Sequence, residues 1–129
     1  MTSTPQDASS RCEREVVLER ATALHRAGRY IEAEKLYREL LDADPADFDA
    51  VHRLGILKLH GGELREAETL LQTAVELAPA SAAALSNLGS VLLKKGQFVT
   101  ALARFEAAVA LDPDDVDFRF NQALSLIHI

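Results

Sequence analysis

The 129-residue sequence contains no tryptophan, one cysteine and one methionine, and aromatic residues make up only 5% of it. A core made from such a chain must draw on Leu, Ala and Val. The single thiol, Cys12, excludes an internal disulfide, and a reducing, cytoplasmic location is the expectation that follows. The opening MTSTPQDASS is polar and lacks the apolar centre of a secretory signal. Residues 1–9 are expected to be a disordered tail. No run approaches the ~18 apolar residues of a membrane helix. Basic residues are also in the minority: 14 Lys and Arg face 20 Asp and Glu, for a net charge of −6. That balance argues against nucleic acid or an anionic membrane as the main partner, since both call for a basic surface.

Catalytic signatures are lacking as well. There is no G-x-S-x-G, H-E-x-x-H or C-x-x-C, and Gly61-Gly62 is too short to cradle a phosphate. His25, His52, His60 and His128 have no i, i+4 pairing and no cysteine companions, so they read as polar surface residues rather than metal ligands. The acidic LDPDDVD from Leu111 to Asp117 lacks the glycine and the closing Glu of a calcium loop. Helix capping and first-turn acids account for it. The expectation is a chain without its own catalysis and without a cofactor or metal.

What is present is a period. GRYIEAEKLY from Gly28 returns as GELREAETLL from Gly62 and GQFVTALARF from Gly96. Glycine stands at Gly28, Gly62 and Gly96, and alanine at Ala33, Ala67 and Ala101. Proline stands at Pro45, Pro79 and Pro113, and small residues at Ala21, Gly55, Gly89 and Ala123. Each spacing is 34 residues. Columns in step at one period mark a repeat architecture.

Each unit predicts two helices. Val51, Leu54 and Leu57 recur at helical steps between Ala50 and His60, and Leu64, Ala67, Leu70, Leu71 and Ala74 do so after the Gly62 turn. Pro79 ends the second helix, because proline lacks an N–H and clashes with the preceding turn. Asp47, Ser81 and Asp115 stand two residues after each proline and are good N-cap types. Ser10, with Glu13 three residues on, predicts a capping box at the start of the first helix. The small columns predict close approach of paired helices, Ala21 with Ala33, Gly55 with Ala67 and Gly89 with Ala101. Tyr30, Leu64 and Phe98 and, in a second column, Tyr37, Leu71 and Phe105 fill the gaps. One hairpin cannot bury both faces, so hairpins stack.

The period and the small, small, aromatic and proline columns resemble the tetratricopeptide repeat (TPR) family. The resemblance spans units 14–47, 48–81 and 82–115, with a truncated fourth at 116–129, inside a domain covering 10–129. It departs from the pattern at Leu40, where a small residue is usual, at Arg20, and at Val17, Val51 and Leu85, where an aromatic is common. It implies an all-α fold, an α-solenoid of helix-turn-helix hairpins wound as a right-handed superhelix, with a concave wall lined by the first helix of each unit.

On that wall the resemblance places Glu15, Leu18, Thr22, His25 and Arg26 from the first unit, and Asp49, His52, Ile56, Leu59 and His60 from the second. It places Ala83, Ser86, Ser90, Leu93 and Lys94 from the third, and Asp117 and Phe120 from the fourth. The Lys and Asn clamp that some members use for acidic chaperone tails is not expected, since Leu18 and Thr22 occupy its places. Asn87 and Asn121 share the sixth place of successive units and resemble a short asparagine ladder able to hold an extended backbone. Glu19 and Arg53 interrupt it.

A protein or peptide ligand in this groove is the expected function, that of an interaction scaffold. The alternative is a substrate-selecting arm of a larger glycosyltransferase or sulfotransferase, because the sequence also resembles the N-terminal arm of bacterial TPR-containing transferases. The apolar ending ALSLIHI predicts a fragment of a longer protein, with self-association through that end. SLIHI also resembles the translated tail of a sequencing adapter.

Overall fold

The structure, a computed structural model, describes the backbone from Pro5 to His128 and side chains from Arg11 to Ile127. Seven helices follow one another: α1 (Pro5–Arg26), α2 (Tyr30–Ala43), α3 (Phe48–His60), α4 (Leu64–Leu77), α5 (Ala82–Lys94), α6 (Phe98–Leu111) and α7 (Val116–His128). There is no strand among the described residues. Each helix packs on the next, giving three hairpins and the first helix of a fourth.

Two turns alternate, and each follows from one residue type. Inside a hairpin, the glycine just past the first helix adopts φ of 79°, 79° and 81° at Gly28, Gly62 and Gly96. Side chains with a Cβ strain at such angles, and glycine does not. The residue after each glycine donates its N–H five residues back, as in Arg29 to Leu24 O at 2.9 Å, Glu63 to Lys58 O at 2.9 Å and Gln97 to Leu92 O at 2.9 Å. These bonds satisfy carbonyls that the helix end leaves free.

Between hairpins, proline takes the second position of a four-residue turn closed by Asp47 N–H to Asp44 O, Ser81 to Ala78 O and Asp115 to Asp112 O. Its fixed φ suits that position. The next helix is then capped as expected. Asp47 Oδ1 accepts from Ala50 N–H at 3.2 Å, Ser81 Oγ from Ala84 at 3.2 Å and Asp115 Oδ1 from Phe118 at 3.1 Å.

The first helix departs from expectation. It runs from Pro5, so Ser10 lies inside it rather than at its start, and the Ser10–Glu13 capping box loses its geometric purpose. Residues 5–9 are helical rather than a disordered tail; proline at a first helical position costs the helix no hydrogen bond. Residues 1–4 lie outside the described set.

The glycines of the small columns also face large side chains. A Cβ on Gly55 would sit 2.7 Å from Leu71 Cγ, and one on Gly89 would sit 2.7 Å from the Phe105 ring. The glycines therefore seat the large side chains of the opposite helix. Tyr37, Leu71 and Phe105, each at 0% exposure, are the buried centres of successive hairpins.

The core has two parts. Fourteen buried apolar residues from Val51 to Ala108 join the second and third hairpins. Seven others, including Ala21, Tyr37, Leu54 and Leu57, hold the first hairpin to α3. Beside that smaller cluster the interface turns ionic. Lys58, only 8% exposed, reaches Glu34 at 2.9 Å and Glu63 at 2.7 Å. Burial works to lower its pKa, but the bonds from Glu63 and Glu34 outweigh it and hold the ammonium raised.

Candidate functional site: the wall of first helices

The helices α1, α3, α5 and α7 each approach the next-but-one neighbour on their side, whereas α2 and α4, or α4 and α6, do not. A stack whose one side is closer together curves toward that side. The first helices therefore form the concave wall, and their outward residues are the ones a ligand meets.

A cleft of about 360 Å³ lies on the wall between α1 and α3, lined by Thr22, His25, Arg26, Tyr30, Arg53, Ile56 and His60. His25 Nε2 and His60 Nδ1 lie 2.8 Å apart, so one ring donates to the other. The Tyr30 ring meets His25 edge-on with centroids 5.4 Å apart. Burial, then the neighbouring His60, Arg53 and Arg26, lowers the pKa of His25. Thr22 has a second duty: its hydroxyl donates to Leu18 O at 2.8 Å and lies 3.4 Å from the buried Tyr37 hydroxyl, for which it is the polar partner.

The structure thus brings Thr22, His25, Arg26, Ile56 and His60 to one place. Tyr30 and Arg53 belong there too and were not among the expected groove residues. Tyr30 looks like a gap filler in its column and is 37% exposed. Arg53 stands at the sixth place, where only an asparagine was sought. The signal for Arg53 was positional, since α3 turns its sixth and ninth places, Arg53 and Ile56, toward the cleft, whereas Tyr30 enters from the start of α2.

Farther along the wall, Asn87 Nδ2 donates to His52 Nε2 at 2.9 Å. This leaves His52 neutral with its proton on Nδ1, in keeping with a pKa lowered by burial first and then by Arg53, against an opposing Asp49. The bond ties α5 to α3 and uses one of the two N–H groups of Asn87, leaving the other N–H and Oδ1; Asn121 is half-buried on α7. Ser90 Oγ returns to Ser86 O on its own helix at 3.1 Å.

Several expected groove residues are placed elsewhere. Leu59 is 7% exposed and belongs to the larger core cluster, and Ser86 is 6% exposed. Leu18 and Leu93 are half-buried against the cores. The three-residue step from place nine to place twelve carries a side chain around toward the neighbouring helix, which moves Leu59 and Leu93 inward. Asp49 is held at 3.0 Å by Arg14, which also binds Asp47 through two bonds of 2.7 Å. Lys94 and Phe120 are exposed. Among the described residues no group of three or more His, Cys, Asp or Glu is placed to hold a metal, and no helix is long and apolar enough to cross a membrane.

Stacked helical hairpins with a concave wall of this kind define a repeat scaffold, in which function lies on the shared surface rather than in any one unit. Comparison makes the class specific. Models of the tetratricopeptide repeat match residues 24–91 and 82–115, and the chain belongs to that family. Its arrays are protein-interaction scaffolds. Among solved structures, an O-GlcNAc transferase mutant from Thermobaculum terrenum is 29% identical with a TM-score of 0.86, over 97% of this chain and 23% of that one. A MamA double mutant of strain RS-1 is 25% identical with a TM-score of 0.82, over 88% of this chain and 64% of that one. The first TPR of Spaghetti (RPAP3), bound to an HSP90 peptide, shares the fold at 20% identity and a TM-score of 0.84, over 88% of this chain and 90% of that one. A search of curated proteins finds no match. This chain spans less than a quarter of the length of the transferase it resembles.

Proposed function

We propose that this chain holds an extended segment of a partner protein along the wall formed by α1, α3, α5 and α7. The observation that carries the reading is the cleft between α1 and α3, where polar and charged side chains from two successive units converge on open space. Exposed Lys94 and Phe120 extend the same wall past the cleft. A peptide selected from a random displayed library against the immobilised chain tests it. His52→Ala combined with Lys94→Ala should weaken that peptide about tenfold, in the range of a modest interface hot spot, with helicity unchanged. Undiminished affinity would remove the wall from the reading.

The likeness to the Thermobaculum terrenum transferase favours a second reading, in which this chain is the arm that selects acceptor proteins for a transferase domain in a longer protein. Sequencing the source DNA through and beyond the codon for Ile129 decides it. A transferase segment in the same frame supports the arm; further 34-residue units closed by a polar cap sink it.

A further inference from the structure

Several cations of the stack have acidic partners. Arg14 holds Asp47 and Asp49, Arg29 holds Glu32, Lys58 holds Glu34 and Glu63, and Lys95 holds Glu68. Arg26 and Arg53 are two of the cations without one among the described residues, and they are the two that share a cleft. They come from α1 and α3. No carboxylate lines that cleft, although the chain as a whole carries a net charge of −6. The hydrogen-bonded pair of His25 and His60 completes its polar lining.

We propose that this cleft binds a phosphate monoester carried on a side chain of the partner segment, a phosphoserine or phosphothreonine. The inference rests on the groove reading above and names the chemistry that the groove selects. Two fixed positive charges match the charge of about −1.5 to −2 on a phosphate monoester near neutral pH. A carboxylate brings one charge and leaves the second guanidinium uncompensated. Guanidinium forks suit the tetrahedral oxygens, with two parallel N–H donors each.

The histidines supply a further step. At rest the two rings share one N–H···N bond, and the groups facing His25 are Arg26 on its own helix, Tyr30 on α2, and Arg53 and His60 on α3. None of these favours the imidazolium, and His25 is accordingly pushed below its ordinary pKa. An arriving dianion reverses that field. His25 can then take a proton and the pair can turn an N–H to the phosphate, so binding draws a proton from solvent. Affinity therefore rises as pH falls from about 8 to about 6.5, and the gain ends near pH 6, where the phosphate itself takes up a proton.

The test uses the intact chain, observed by NMR at the ring resonances of its histidines. The probes are the capped amino acids N-acetyl phosphoserine methylamide, N-acetyl glutamate methylamide and N-acetyl serine methylamide, together with inorganic phosphate. The phosphoserine probe should move the His25 and His60 resonances and bind about tenfold more tightly than the glutamate probe, one charge-assisted contact being worth that factor. Arg26→Gln with Arg53→Gln should weaken it by about tenfold or more, while Arg26→Lys with Arg53→Lys should retain part of the affinity. His25→Gln with His60→Gln should leave binding at pH 8 and abolish the rise toward lower pH, which keeps the proposal testable should the arginine variants unfold.

Equal binding of the glutamate and phosphoserine probes, or binding indifferent to both arginines, overturns the proposal. Inorganic phosphate binding as tightly as the phosphoserine probe overturns the side-chain source in favour of a free anion. A library-selected neutral peptide that still binds while the phosphoserine probe does not would leave the groove reading standing without this pocket. Loss of both would remove both.

Discussion

The joint between the first and second hairpins and the joint between the second and third have the same backbone and a different balance of chemistry, the first with an ionic cluster around Lys58 and the second mainly apolar with one ion pair, Lys95–Glu68. Leu24, Lys58 and Leu92 occupy one column, 34 residues apart. At the first joint Lys58 is surrounded by Glu34, Glu63 and, at 3.5 Å, Glu66. Moving each of these on by one period gives Glu68, Gln97 and Thr100 around Leu92. Of those three only Glu68 remains acidic, and Lys95 already holds it. The cation and its acids therefore changed together, and the repeat tolerates either solution because the turns, caps and seated aromatic or leucine side chains are the same at both joints. Two adjacent joints in one molecule are close to a controlled substitution experiment.

The largest effect is expected from moving the ionic solution to the wrong joint. Leu92→Lys places a cation at a position only 4% exposed with no free acid, and should cost about 3–5 kcal/mol, the scale of an uncompensated buried charge. Urea unfolding would measure it, and a loss below about 1 kcal/mol would show that the two joints are electrostatically interchangeable. Next comes Gly89→Ala. Its new methyl meets the Phe105 ring, so overpacking of about 1–3 kcal/mol should exceed the helix gain of about 1 kcal/mol. Gly55→Ala meets Leu71 Cγ, which turning of the branch leaves in place, and should cost about as much. A much smaller loss at Gly55 would mean that the leucine yields where the ring does not.

Removing caps compares the joints a third way. Ser81→Ala should cost about 1 kcal/mol and Asp47→Ala somewhat more, because Asp47 caps α3 and also binds Arg14. The smallest effect is expected from Lys58→Leu, which copies the neighbouring joints and should lie within about 1 kcal/mol of the parent, since its released acids are in part solvated.

Acid separates the joints without mutation. The hydrogen bond from Arg14 lowers the pKa of Asp47, and that from Lys58 lowers the pKa of Glu34, each against the opposing effect of burial. Carboxylates with depressed folded pKa contribute stability above their unfolded values and lose it as pH falls through the folded ones. The first joint should therefore loosen below about pH 4 more than the second, which carries one ion pair and is otherwise apolar, as hydrogen exchange on α2 and α5 would show. Simultaneous opening of both would remove the distinction.

Much of this was legible in the residues. Glycine, proline and cap columns specify backbone geometry locally, so turns and helix boundaries could be read without knowing what packs on what. Gly55 was visible as a small residue, but that it seats Leu71 depends on helix rotation, which period alone does not give. The cleft was half legible. His25 and His60 lie at places that face a groove, but their meeting needs the offset between α1 and α3. Leu59 and Ser86 stood at groove-facing counts and lie buried because that count drifts around the helix. Asn87 read as a backbone holder and gives one N–H to His52, a contact between units that no single unit displays.

The three glycine turns carry one more consequence. Each closes with main-chain bonds alone and draws nothing from the side chains of the unit that follows. The angle within one hairpin is therefore indifferent to how many hairpins stand beside it. Length becomes a free variable in such a chain: gene duplication can add a unit, or recombination remove one, without retuning its neighbours. Reach along a partner can then evolve independently of the chemistry by which any single cleft recognises it.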